Sequence, residues 1–150
     1  GPGAFAQVAI GQGDLLTTPL HMALLIASVA NDGVAMRPRV VAMESPSAWR
    51  RVMKASSAAR LREDLRRVVT EGTARGLNIP SLRAAGKTGS AENPHGKAHS
   101  WFIGFEPFDQ PKYALAIVVE NAGFGSQVAV PMAKEAFQHL KDSESPTSAP

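Results

Sequence analysis

A chain of 150 residues with 44% hydrophobic content can bury one ordinary core and gives no reason to expect a second. Its cysteine count of zero excludes disulfide scaffolds, thiolate metal sites and cysteine nucleophiles. The formal charge of +3 does not point to nucleic acid: Arg60, Arg62, Arg66 and Arg67 interleave with Glu63 and Asp64 as on a solvated helix face, and only 6% of residues are aromatic.

Gly1-Pro2-Gly3 carries no structural signal. Gln12 stands between Gly11 and Gly13, a context that serves unusual backbone geometry, so it reads as structural. Thr17-Thr18-Pro19 followed by Leu20, Met22, Ala23, Leu24, Leu25 and Ile26 predicts a threonine-capped helix with proline in its first turn. That helix is apolar almost all round and is expected to be buried. Asn31-Asp32-Gly33 ends it, and Arg37-Pro38-Arg39-Val40-Val41 follows as an extended run. Ser45 to Ser57, with Trp49 and Val52, fits an irregular excursion or a small hairpin. From Ser57 to about Gly72, Leu61, Leu65, Val68 and Val69 recur at helical spacing, and Gly72 and Gly76 break the helix.

Three strands are predicted next: Ala84 to Ala91, His99 to Phe105, and Lys112 to Glu120, with Glu106 to Pro111 as a turn-rich connector between the last two. Trp101 and Phe102 fall on opposite faces of the second strand, one toward the core and the other toward a cleft. His95 and His99 stand four apart, but Pro94 and Gly96 place them on a loop entering a strand, so no metal site is expected. Glu120 to Gly125 reads as a flexible turn without the spacing of a phosphate cradle. Val128 to Leu140 closes the chain as a helix with Val130, Ala133, Ala136, Phe137 and Leu140 on its buried face, and 142–150, rich in Ser and Pro, reads as a disordered tail. The fold class is therefore α+β, an antiparallel sheet with helices packed on its faces, in one unit over 1–141.

The chemistry concentrates in Gly86-Lys87-Thr88-Gly89-Ser90-Ala91-Glu92. A lysine ammonium beside a threonine hydroxyl suits a carboxylate, and glycine lets a substrate backbone approach. The Ser90 backbone N–H can donate to a developing oxyanion, and a strand edge of this kind can take up an extended peptide as a further strand. These are the parts of an acyl-transfer site without its nucleophile. Glu92 lies near enough to bond Lys87, although a surface pair is the ordinary expectation.

Several blocks occur in order around this strand: Ala9-Ile10-Gly11-Gln12-Gly13, Thr18-Pro19-Leu20-His21-Met22-Ala23, Ala30-Asn31-Asp32-Gly33, Gly86 to Glu92, and His99-Ser100-Trp101-Phe102-Ile103-Gly104-Phe105. Together they resemble the transpeptidase domain of class B penicillin-binding proteins, from about Ala4 to Leu140. That family and class A β-lactamases share S-x-x-K, S-D-N and K-T-G motifs. Only the third stands here: no serine has a lysine three positions later or an asparagine two positions later. In the family both absent motifs precede the GQG segment.

The resemblance implies a serine-type peptidoglycan D,D-transpeptidase, with this chain supplying the Lys-Thr-Gly side of the site. It implies that Lys87 stabilises charge around the nucleophile and that Thr88, with Gly89, holds the substrate or β-lactam carboxylate. Ser90 would supply one oxyanion donor through its backbone, and the serine in place of the usual threonine hardly matters to that contact. His99 and Trp101 would flank the cleft, His99 ordering the loop over it. Implied partners are peptidoglycan stem peptides, β-lactams, the N-terminal part of the same domain and glycosyltransferases of the cell-wall machinery; no cofactor and no nucleic acid are expected. Implied localisation is the bacterial envelope, at the outer face of the cytoplasmic membrane, with any anchor outside this chain. Two other readings stand beside it: a non-catalytic fragment or partner-binding unit, and a serine β-lactamase or D,D-carboxypeptidase.

Overall fold

The computed structural model describes residues 1–13, 15–41 and 44–144. The chain opens with α1 (Pro2–Ala9), so Pro2 starts a helix at the segment from which nothing was read. In α2 (Pro19–Ala30) the Thr18 hydroxyl accepts from the His21 N–H at 3.2 Å, the expected threonine cap. The helix ends where Asp32 and Gly33 take positive φ values of 49° and 83°. It is not buried all round: Ile26, Ser28 and Val29 are, whereas Leu20 and Leu25 are 58% and 46% exposed. The described residues cover one side of an apolar helix and leave the other open.

Of the extended run expected at Arg37 to Val41, no residue is in a strand. The strand instead is β1 (Val34–Met36), which pairs antiparallel with β2 (Ala48–Arg51) in a small separate hairpin. The amphipathic helix is α3 (Ala55–Thr70). Two of its arginines are not a solvated face. Arg62 donates to the Phe108 carbonyl at 2.7 Å and stacks over the Phe108 ring, and Arg66 donates to the Ala84 carbonyl at 2.6 Å. Burial, followed by the neighbouring charge of Arg83, lowers the Arg66 pKa. Long stems let these charged residues cover apolar surface while their heads satisfy partly buried carbonyls. After α3 comes a 3-10 turn at Arg75–Leu77.

The three predicted strands are β3 (Ala85–Ala91), β4 (His99–Glu106) and β5 (Tyr113–Val119), antiparallel in the order β3-β4-β5, so that β3 is an edge. The register sets Thr88 opposite Phe102, Gly89 opposite Trp101 and Ser90 opposite Ser100. α4 (Ala129–Glu144) lies against one face of the sheet; α2 and α3 lie against the other. Alternation along β4 feeds both layers. Phe102 joins Leu77, Leu82, Val130, Ala133 and Phe137 on the α4 side, while Phe105 joins Ile26, Val29 and Ala85 on the α2 side. Fully burying each such phenylalanine contributes roughly 1.5–3 kcal/mol. α4 runs on past Asp142 to Glu144, where Lys112 and Tyr113 donate to the Glu144 carboxylate at 2.9 and 2.8 Å. The expected tail boundary at Asp142 therefore falls inside the helix, and residues 145–150 lie outside the described residues.

Candidate active site

Glycine at 86 and 104 lets the Phe102 ring lie flat on the sheet: a Cβ at Gly86 would fall 2.4 Å from that ring and from the Ile103 carbonyl oxygen, and one at Gly104 would fall 2.6 Å from the ring. This packing seats β3 on the core just before Lys87 to Ser90. Beyond it, the strand emerges from the sandwich, from buried Ala85 and Gly86 to half-buried Thr88, Gly89 and Ser90.

The backbone of β3 presents alternate residues to its open edge. The Thr88 carbonyl accepts from the Lys87 ammonium at 2.8 Å and the Ser90 carbonyl accepts from the Gln12 side-chain amide at 3.2 Å. In an antiparallel ladder the N–H and C=O of one residue lie on the same side of the strand. The Ser90 N–H thus faces the same open edge as its carbonyl, where an oxyanion or an added peptide strand would meet it. Lys87, exposed, brings its positive charge to that edge through its bond to Thr88 instead of to Glu92.

A hydroxyl missed by sequence reasoning completes the polar group. Thr73, in the turn after α3, places its Oγ1 2.6 Å from the Thr88 Oγ1. Only its position directly after Gly72, where α3 breaks, marks it in the sequence, and that says nothing of its proximity to β3. Lys87, Thr88 and Thr73 together form a cationic, hydroxyl-rich spot of the kind that binds a carboxylate.

The Glu120 to Gly125 segment is pinned to the sheet, contrary to its reading as a flexible turn. The Asn121 N–H donates to His99 Nδ1 at 3.0 Å, the Gly123 N–H to the Ala98 carbonyl at 2.8 Å, and the Gly125 N–H to the Ser90 hydroxyl at 3.3 Å. Buried Ser100 ties the same segment to α4: its hydroxyl donates to the Phe124 carbonyl and accepts from the Ala129 N–H, both at 3.1 Å. Gly125 lies so close that an added Cβ would fall 2.4 Å from the Trp101 carbonyl oxygen and 2.5 Å from that of Gly89. His99 therefore orders a loop beside β3, and Trp101 sits half-buried across from Gly89 while Phe102 is in the core.

The site is an open strand edge. Two cavities of about 280 and 300 Å³ lie elsewhere, the first on the β1–β2 hairpin beside Arg37 and Trp49, the second between α2 and β5. Among the described residues no cluster of His, Asp or Glu is arranged to hold a metal ion.

Comparison with known proteins gives this edge a context. The family profile described as the penicillin binding protein transpeptidase domain matches residues 3–138. Peptidoglycan D,D-transpeptidase PbpA of Mycolicibacterium smegmatis is 36% identical over 80% of this chain and 27% of its own length. Its Mycobacterium tuberculosis counterpart is 32% identical over 90% of this chain and 31% of its own length. The chain thus spans about three tenths of these curated relatives. The crystal structure of PBPA from M. tuberculosis superposes with a TM-score of 0.84 at 30% identity, over 92% of this chain and 37% of that one. An imipenem acyl-enzyme complex of penicillin-binding protein A from the same organism superposes with a TM-score of 0.78 at 31% identity, over 89% and 33%.

Proposed function

From the premise that this chain belongs to the penicillin-binding protein transpeptidase domain family, we propose that it forms the substrate-holding side of a peptidoglycan D,D-transpeptidase. The observation that carries this reading is the open edge of β3, which gathers the Lys87 ammonium, the Thr73–Thr88 hydroxyl pair and the outward Ser90 N–H.

In this reading a serine from the N-terminal part of the same domain attacks the carbonyl of a D-Ala-D-Ala stem peptide laid along β3. The Ser90 N–H and the nucleophile's own N–H donate to the resulting oxyanion. Collapse expels the terminal D-Ala as its amine takes up a proton, leaving an ester to serine. An amine of a second stem peptide then attacks that ester, forms the crosslinking amide and frees the serine. Thr88 and Thr73 hold the terminal carboxylate, and Lys87 offsets its charge and steadies the proton network around the nucleophile. Gly89 clears room for the peptide, and His99 and Trp101 border the cleft. A β-lactam opens on the same serine; penicillin-binding protein A of M. tuberculosis forms an imipenem acyl-enzyme complex.

The exposed apolar side chains Phe5, Ile10, Leu16 and Leu20 are 78%, 77%, 92% and 58% exposed, and they form the surface against which that N-terminal part packs. The enzyme works in the bacterial envelope at the outer face of the cytoplasmic membrane, alongside glycosyltransferases that supply its strands. No helix among the described residues is long and apolar enough to cross a membrane.

Fluorescent penicillin tests the reading. The full-length protein carrying this segment is labelled at one serine of an S-x-x-K motif, and no label on it refutes the assignment. The isolated chain, which has no such serine, stays unlabelled alone; labelling of a separate N-terminal fragment only when the two are mixed shows that the chain completes the site. Rapid turnover of released β-lactam would assign a β-lactamase instead.

A further inference from the structure

Between α1 and α2 the chain makes a turn in which Gly11 and Gly13 adopt φ values of +78° and +73°, a conformation that residues bearing a Cβ resist. The Gln12 N–H closes the turn on the Gln7 carbonyl at 2.9 Å. The two glycines thereby swing the Gln12 side chain away from α1 and onto β3, where its Nε2 lies 3.2 Å from the Ser90 carbonyl oxygen. Gln12 is half-buried, while the described side chains from Gly3 to Gly11 are exposed. This contact joins residues 78 apart in the chain.

Its target is Ser90, whose N–H is the oxyanion donor in the proposed reading. Ser90 is the penultimate residue of its strand. There an edge strand has lost pairing on one side and is close to fraying. A donor fixed to the Ser90 carbonyl restrains the backbone at that residue and with it the direction of the N–H on the same edge. Oxyanion donors act within a narrow range of distance, so a small rotation of that N–H is expensive.

We propose that Gln12 is a positioning residue for acylation, acting through the Ser90 carbonyl to hold the Ser90 N–H on the oxyanion. This role rests on the transpeptidase reading and revises the purely structural one assigned to Gln12 from the sequence. The opposite role is also chemically defined. An amide on the Ser90 carbonyl occupies an acceptor that a substrate N–H needs, and if Gln12 were a gate its removal would speed acylation.

The test compares wild-type, Gln12→Ala and Gln12→Glu full-length protein in stopped-flow acylation by fluorescent penicillin, separating the limiting rate from the pre-acylation dissociation constant. Gln12→Ala lowers the limiting rate about tenfold with an unchanged dissociation constant and melting temperature. Gln12→Glu, nearly the same shape but without a donor at neutral pH, lowers it at least as far. Its carboxyl regains a donor when protonated, so the ratio of its rate to that of wild type rises toward one as pH falls from 7 toward the ordinary glutamate range near 4.3. An unchanged or faster rate in either variant, a loss confined to the dissociation constant, or a pH-independent ratio for Gln12→Glu overturns the proposal. Absence of label on the wild type refutes the transpeptidase reading itself, a separate failure.

Discussion

The hydroxyl oxygens of Thr73 and Thr88 lie 2.6 Å apart, one in the turn after α3 and the other on β3. Two hydroxyls at this distance share one proton between them and leave the second free to donate to an anion. With Thr88 holding the carboxylate as proposed, Thr88→Val removes a bond to a charged group and weakens pre-acylation binding of a carboxylate-bearing β-lactam about ten- to hundredfold. Thr73→Val removes a neutral partner and weakens it about three- to tenfold. Stopped-flow binding on the full-length protein measures both, and a Thr73→Val effect of nil would remove Thr73 from the carboxylate site.

Gly125 tolerates no side chain where it lies, because a Cβ would overlap the backbone oxygens of Trp101 and Gly89 and approach the Gly89 nitrogen within 3.0 Å. Gly125→Ala must lift the loop from β3 and break the Gly125 to Ser90 hydrogen bond. The expected cost is about 1–3 kcal/mol of stability, with slower penicillin labelling. Thermal melts and labelling rates check it; a variant with wild-type values in both shows that the loop is not held against the strand.

Phe102 is fully buried and its ring covers Gly86 and Gly104. Phe102→Ala is expected to cost about 3–5 kcal/mol and, because the ring seats the start of β3, to impair labelling at temperatures where the protein remains folded. Urea denaturation, together with labelling at a temperature where thermal melts show the variant folded, distinguishes a local from a global effect.

Glu106 ends β4 in a buried position, and burial raises its carboxyl to about 7, with Lys141 opposing the shift and Glu144 adding to it. Its unfolded value is 4.5, so between these limits the folded chain keeps a proton that the unfolded chain has released. The stability this group contributes is full below 4.5 and is lost as pH rises through about 7. Glu144 runs the other way: hydrogen bonds from Lys112 and Tyr113 lower its pKa, and its contribution is lost as pH falls through its folded value. Glu106→Gln removes only the first dependence. Relative to wild type it gains on the order of 1–2 kcal/mol between acid and mildly alkaline pH, after discounting for solvent screening. Urea midpoints across that range measure it, and parallel pH profiles would contradict a raised Glu106.

Secondary structure in the second half of the chain was legible because the signals there are local and mutually consistent. β-branched and aromatic residues are concentrated in β4 and β5, a proline-bearing connector separates them, and the closing helix carries its apolar face at helical spacing. The first half was less so. The helix at Pro2–Ala9 has few residues and no side-chain cap, and β1 takes its form from pairing with Ala48–Arg51 more than from its own residues. Arg62 and Arg66 looked solvated because charge pattern reports polarity, whereas carbonyls of distant loops decide what a long guanidinium stem reaches.

Family membership, the α+β fold class and the Lys87-Thr88-Gly89-Ser90 strand were all contained in the sequence, since ordered motifs and strand periodicity are properties of consecutive residues. Which edge of that strand is open, that Thr73 joins Thr88 there, that Gly125 presses on Gly89 and that Gln12 reaches Ser90 were decided only by tertiary structure. Each joins groups between 15 and 78 residues apart or depends on which strand neighbours which. A hydrogen bond or steric contact is set by a few tenths of an ångström in space, and separation along the chain carries no such distance.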